Sequence, residues 1–468
     1  MTRRSRKTSS SLSSQPGPIQ RAPVEILSNI FVHCLPVDRY AIPVNDRAPI
    51  NVSSVCKQWR EIAIRIPLLW CGIEIRGVYK ALCPHILETW ISRSKILGFS
   101  FQLLPGKYPR LEDEPPVDVA LDVLIRHSPQ WVSLEVCMSR ARVARLMSVV
   151  PHHTPLLREL HLFDSDIPHP LHLDLSAPLK YLRHLSMNAD ATFNGGDMLL
   201  NLRTLSLSSV HSTVVVSSLA YCPRLEELVV HFNGAPHQHL ATSIPPAANI
   251  TLPCLRILKI RRESFDSETV ERVIQLLDAL LVPRLRSLSL LADSSDPTPQ
   301  LWDSLLRFFQ IQEFPLENFE IRNSLQFPTN ISILLHHLPG LKYLGFDVQW
   351  VDQVVPAIFP DPQKGTRHCP KLRTVQLLWL NKCGQVGPLL SAIQPWLGAE
   401  DEPSMTTCQS AYVIVLLMNY YPLFDKLNAC PGVEVITQQL WLQRQEHDFY
   451  TMLGSDACSS SRSLAKVY

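Results

Sequence analysis

The segments Pro253-Cys254-Leu255-Arg256-Ile257-Leu258-Lys259-Ile260 and Pro283-Arg284-Leu285-Arg286-Ser287-Leu288-Ser289-Leu290 are two copies of one pattern, P-x-L-x-x-L-x-Φ. The closing L-x-Φ alternates with period two, so both apolar side chains point to one side of a short strand. The first leucine fills the turn that leads into the strand. The proline blocks continuation of any helix before it. Further copies read Pro155, Leu157, Leu160, Leu162; Pro223, Leu225, Leu228, Val230; Pro339, Leu341, Leu344, Phe346; and Pro370, Leu372, Val375, Leu377. Weaker ones use Trp131, Leu134 and Val136; Leu182, Leu185 and Met187; Leu202, Leu205 and Leu207; and Leu316, Phe319 and Ile321.

Between these strands the apolar period changes to that of a helix. Val143, Leu146, Met147 and Val150 form one such segment, and Val270, Val273, Ile274, Leu277 and Leu281 another. Leu301, Leu305, Phe308 and Phe309 form a third, and Ile331, Leu334, Leu335 and Leu338 a fourth. The copies recur about every 27 residues from Trp131 to Leu372, inside the 20–29 span of leucine-rich repeats. Strand then helix, repeated in one direction, predicts a parallel sheet with helices outside it, a curved solenoid. Ala411–Asn428 reads as a buried helix, and Pro431, Val433 and Ile436 as a last partial repeat that caps the open end.

Composition narrows the function classes. Of 468 residues, 46% are hydrophobic and only 18% charged, enough apolar material for a sizeable core. Lys and Arg total 44 against 42 acidic residues, so the broad basic footprint of a nucleic-acid binder is lacking. Glycine is scarce at 16 residues, which argues against phosphate-cradling loops. The longest apolar run, Ala411–Met418, falls short of the ~18 residues of a membrane span. The twelve cysteines are scattered with no C-x-x-C, the distribution of reduced, mostly buried thiols. A soluble intracellular protein, cytoplasmic or nuclear, is expected.

Met1–Arg21 is Ser-rich and basic and reads as a disordered tail, dispensable for folding. A nuclear-localisation patch is the alternative, since basic clusters serve that role; a transit peptide shares the composition, but no apolar face accompanies the charges. Order is expected from Pro23. Val24, Ile26, Leu27, Ile30, Phe31, Cys34 and Leu35 cover about 180° of a helical wheel, where an ordinary surface helix needs ~100°. The excess implies cover by something besides its own domain. Leu27 and Phe31, four apart, are the expected partner face. After a loop from Pro36 to Pro49, Val52, Val55, Cys56, Trp59, Ile62, Ala63 and Ile66 predict one amphipathic helix, capped by Asn51 and stopped by Pro67. Trp59 is expected in its core.

Ala22-Pro23-Val24-Glu25-Ile26-Leu27, Ile30-Phe31, Val55-Cys56-Lys57-Gln58-Trp59-Arg60 and Pro67-Leu68-Leu69-Trp70 together resemble an F-box, over about Ala22 to Ile75. Ala22 replaces the usual leucine, and the longer first loop is familiar in F-box-like proteins abundant in mushroom-forming fungi. Roughly Val117 to Thr437 resembles the leucine-rich-repeat region of F-box proteins. It departs by lacking the asparagine after each strand except at Asn233; Ser165, Val210, Glu263, Asp293 and Gln349 stand elsewhere. The resemblance implies an α+β chain. Its parts would be a tail (1–21), a small all-α three-helix F-box (22–75), a helical linker or solenoid cap (76–116), an α/β leucine-rich-repeat-like solenoid with a C-terminal cap (117–437), and a C-terminal helix with a disordered tail (438–468).

It also implies a function. The F-box would dock on a Skp-type adaptor and through it a cullin, while the repeats hold a target protein for ubiquitination. Pro23, Ile26, Leu27, Ile30, Phe31, Val55, Cys56, Trp59 and Trp70 are the candidate docking residues. A scaffold using the F-box outside any ligase is the alternative. No membrane, nucleic acid, metal or cofactor is expected, and no catalysis. G-x-G-x-x-G, G-x-x-x-x-G-K-[ST], G-x-S-x-G and H-E-x-x-H are all lacking. His152-His153, His237-Gln238-His239 and His336-His337 have no cysteine or carboxylate at ligand spacing and read as surface histidines. Arg261-Arg262 and Arg284/Arg286 are candidates for binding an acidic patch or phosphate, but as isolated charges on a repeat surface they read as solvated.

Overall fold

Each L-x-Φ pattern becomes a strand in the computed structural model, and successive copies pair in parallel. The structure describes residues 18–36, 40–76, 84–104, 114–164, 173–174, 179–187, 191–192, 199–208, 212–232, 249–262, 267–292, 299–312, 314–322, 331–347, 354, 358, 369–372, 374–378 and 413–416. The chain divides into two compact units, 1–102 with 106–127, and 103–105 with 128–468. That division falls after residue 127, so the segment read as a linker belongs largely with the first unit.

The second unit is mixed α/β and built on one large parallel sheet. Its strands are Trp131–Met138, Glu159–Asp164, His184–Met187, Thr204–Ser208, Glu227–Phe232, Ile257–Arg262, Ser287–Ala292, Asn318–Arg322, Tyr343–Asp347, Thr374–Leu378 and Val413–Leu416. They lie in the sheet in chain order. The register stacks the repeated positions on one another. Leu134, Leu160, Leu185, Leu205, Leu228, Leu258, Leu288, Phe319, Leu344 and Val375 form one buried column. Val136, Leu162, Met187, Leu207, Val230, Ile260, Leu290 and Ile321 form a second beside it. A one-residue slip would turn every one of these side chains to the other face, so burial pins the pairing.

Helices complete this core. Arg140–Met147 packs on the first two strands and buries Val143, Leu146 and Met147. Ser212–Leu219, Ser267–Ala279 and Pro299–Ile311 pack side by side in that order. Leu301, Leu305, Phe308 and Phe309 are buried, and Phe309 meets Phe319 edge-on at 5.7 Å between ring centroids. Ile331–His336 buries Ile331, Leu334 and Leu335. Cys222 and Cys369 are buried here, and burial pushes both thiols up to about 12, as inert core sulfurs require.

Some helical expectations of this unit fail: Val150 starts a separate short helix, Val150–His153, after Arg140–Met147 ends, and Leu338 lies beyond Ile331–His336. Leu281 leaves its helix, because Leu280–Leu281 pairs as a short strand with Ile250–Thr251. Within Ala411–Asn428, Val413–Leu416 is a strand in register with Thr374–Leu377; three of its four residues, Val413, Ile414 and Val415, are β-branched. The rest of that segment, the partial repeat after it, residues 438–468, the tail before Pro18, His237-Gln238-His239 and the positions after the strands (Ser165, Val210, Asn233, Glu263, Asp293 and Gln349) lie outside the described residues.

The first unit holds helices α1 (Val24–His33), α2 (Ile50–Ser54) and α3 (Lys57–Arg65), a 3-10 turn at Pro67–Trp70, strand β1 (Gly72–Arg76), α4 (Pro84–Ser94), β2 (Phe99–Leu104) and α5 (Glu114–Arg126). Among the described residues, the first regular element is a 3-10 turn at Pro18–Arg21, ahead of Pro23 where order was expected to begin. The loop before α2 is pinned to β1: the Ala41 N–H donates to the Gly72 carbonyl at 3.3 Å and the Glu74 N–H to the Ala41 carbonyl at 3.0 Å. α4 packs on the 3-10 turn and on α5, and Arg126 pairs with Glu88 at 3.1 Å. No helix among the described residues is long and apolar enough to cross a membrane.

Candidate functional site

The wide apolar arc of α1 is real, but its two sides are the reverse of the expectation. Leu27 and Phe31 are fully buried, and the Phe31 ring packs against Trp59 at 4.8 Å. Ile26 and Ile30, four apart on the neighbouring face, are 51% and 40% exposed, and Val24 is exposed with them. Leu27 and Phe31 are therefore core residues and unavailable to a partner. The width of the arc stated that α1 has two apolar faces; only the position of α3 decides which is covered.

The predicted second helix is two. Ser53 and Ser54 both turn their hydroxyls back on the Ile50 carbonyl at 2.8 Å, a local bond that competes with helix continuation. Cys56 then takes extended backbone, φ −158 and ψ 171, and becomes the N-cap of α3, its Sγ accepting from the Trp59 N–H at 3.5 Å. Arg60 Nε donates across the break to the Ser53 carbonyl at 3.1 Å. Asn51 lies inside α2 rather than capping it, and α3 ends at Arg65, before Pro67. The break swings Val55 off the buried stripe, leaving it 61% exposed.

The nine candidate docking residues thus separate by depth. Pro23, Ile26, Ile30 and Val55 are exposed, Cys56 and Trp59 half-buried, and Leu27, Phe31 and Trp70 buried. Trp70 is a structural keystone of the unit: its Nε1 donates to the Ala63 carbonyl at 2.9 Å, its ring meets Trp90 at 4.8 Å, and the Arg93 guanidinium lies 4.3 Å over it. Leu68, outside these nine, is exposed one residue from the buried Leu69. Among its described residues the first unit exposes several large apolar side chains.

Two features of the second unit escaped the sequence reading. On the sheet face opposite the leucine columns the alternate strand positions are mostly polar, Phe163, Val229, Ile257 and Leu291 being apolar exceptions. Ser133 Oγ donates to Glu159 at 2.8 Å, Lys259 pairs with Glu227 at 2.9 Å, and Ser289 Oγ donates to Glu320 at 2.9 Å. His161 is buried in this face, and burial pushes its imidazole down to about 4 against the pull of Glu159, with His184 pushing the same way as burial. His184 is lowered chiefly by burial too, opposed by Glu159 and Glu227. The signal was available: His161 stands at the x of Leu160-His161-Leu162, where parity puts it on this face.

A histidine held neutral in the fold stabilises it above the unfolded value near 6.5, and that stability is lost as pH falls from about 6.5 toward 4. We expect the chain to lose about 2 kcal/mol through His161 between pH 7.5 and pH 5, read as a falling melting temperature. His161→Gln should flatten that dependence. Equal slopes for the two proteins would show that His161 does not titrate across folding.

The second feature is a row of cations one residue ahead of the strands. Arg158, Arg183, Arg203, Arg256, Arg286 and Lys342 are all exposed. Backbone bonds join them in a row: the Arg183 N–H donates to the Arg158 carbonyl, Arg203 to Arg183, and Arg286 to Arg256, each at 2.8 Å. Glu226 and Glu317 stand in the same row, paired with Arg203 at 3.3 Å and Lys342 at 3.1 Å. Arg286 is therefore not the isolated charge it seems in the sequence.

Among the described residues no group of three or more His, Cys, Asp or Glu is placed to hold a metal ion. Compared with known proteins, the chain matches no family model and no curated protein.

Proposed function

We propose that this chain is a non-catalytic substrate adaptor of a Skp–cullin–F-box ubiquitin ligase. Residues 22–75 act as the F-box that docks on a Skp-type adaptor, and the parallel sheet with its helices acts as a leucine-rich-repeat-like solenoid that holds a target protein. Ubiquitin transfer belongs to other subunits. The observation that supports this best is the exposure of Ile26, Ile30 and Val55 on a helical unit whose own core is already filled by Leu27, Phe31 and Trp70. Exposed large apolar side chains over a complete core are what an obligate docking face requires. Pro23, Val24 and Leu68, exposed as well, extend it.

Affinity purification of the full chain from cells, followed by mass spectrometry with and without a block on degradation, tests this. A Skp-type adaptor and a cullin should co-purify, and further proteins should accumulate on the chain when degradation is blocked. An adaptor subunit without cullin favours the scaffold role, and neither subunit refutes the proposal.

A further inference from the structure

We propose that the row of cations ahead of the strands binds an extended acidic polypeptide segment, with acidic groups six residues apart. Neighbouring strands of a sheet lie about 4.8 Å apart, which sets the spacing of the row. Glu226 and Glu317 neutralise Arg203 and Lys342, so the unspent charge gathers at two places. Arg158 and Arg183 form one adjacent pair and Arg256 and Arg286 the other, and none of the four makes an ion pair among the described residues. Four strand spacings separate the centre of the Arg158–Arg183 pair from that of the Arg256–Arg286 pair, roughly 19 Å. An extended chain covers that span in about six residues at ~3.4 Å each, and its period of two brings residues six apart onto one side. One carboxylate or phosphoryl group of such a segment would then face each arginine pair, with guanidinium forks suited to bidentate contact.

The two glutamates also choose between polyanions. A nucleic-acid strand carries a charge about every 3.4 Å of rise and would set phosphates against Glu226 and Glu317. A peptide with discrete acidic residues can leave those positions neutral. As the place where a degradation target docks, the row rests on the adaptor function proposed above. The assay below uses the full chain alone, so failure of either proposal leaves the other standing.

The test is fluorescence anisotropy at low salt with a labelled twelve-residue Thr peptide carrying Glu at its third and ninth positions only, against its Lys–Thr counterpart and a twelve-nucleotide oligothymidylate. The Glu–Thr peptide should bind and weaken as salt rises. Arg158→Glu with Arg183→Glu should weaken it at least tenfold, as should Arg256→Glu with Arg286→Glu. Glu226→Gln, which releases Arg203, should tighten it several-fold. All these side chains are exposed or half-exposed, so melting temperatures should match the parent; where a reversal fails to fold, the corresponding Arg→Gln pair replaces it and should weaken binding several-fold. No binding of the peptide, reversal variants that bind like the parent, or preference for oligothymidylate would each overturn the proposal.

Discussion

Leu27→Ala together with Phe31→Ala should unfold the first unit. Both side chains are fully buried, and Phe31 carries the ring contact that holds Trp59 at 4.8 Å. Losses of 2–5 kcal/mol for a buried leucine and 3–5 for a buried phenylalanine are usual, against a domain stability of about 5–15 kcal/mol. The pair would remove most of that. Circular dichroism on heating should show the helical transition at far lower temperature or already complete at 25 °C. Retention of the parent's melting curve would mean that Leu27 and Phe31 do not sit in the core.

The second large effect is in the sheet and turns on one position of parity. Leu258→Ala empties a site between Leu228 and Leu288 in the buried column and should cost about 2–5 kcal/mol. Lys259→Ala, its immediate neighbour, removes only the partly exposed pair with Glu227, worth at most about 1 kcal/mol. Denaturant titrations of the two variants should therefore differ several-fold in lost stability. Equal losses, or a larger one for Lys259, would mean the register is shifted by one.

The strands were legible because period two is a strong signal once it repeats. Leu258, Leu288 and their counterparts had to share one side of a sheet, and stacking copies in order follows from short parallel connections. What the pattern lacked was anything nonlocal. The wheel of α1 showed an arc too wide for one face, yet Leu27 and Ile26 look alike until α3 lies against one of them. The break between α2 and α3 came from hydroxyl bonds of Ser53 and Ser54 and a thiol cap at Cys56, while Val52 to Ile66 kept helical spacing throughout. Val413–Leu416 sits in an unbroken apolar run, where period cannot separate strand from helix. The cation row was visible as the residue after each unit's first leucine, at Arg158, Arg183, Arg256 and Arg286, but only the register makes neighbours of them.

Docking of the first unit through Ile26 and Ile30 is the claim on which the proposed function stands, and calorimetric titration of the purified chain with a purified Skp-type adaptor addresses it most directly. Burying an isoleucine side chain contributes roughly 1.5–3 kcal/mol, so losing both contacts should weaken binding about 100-fold or more. The parent should bind stoichiometrically. Ile26→Asp with Ile30→Asp should show no measurable heat while melting with the parent, since both side chains are exposed in the free chain. A parent that does not bind, or a double variant that still binds tightly at unchanged stability, would contradict it.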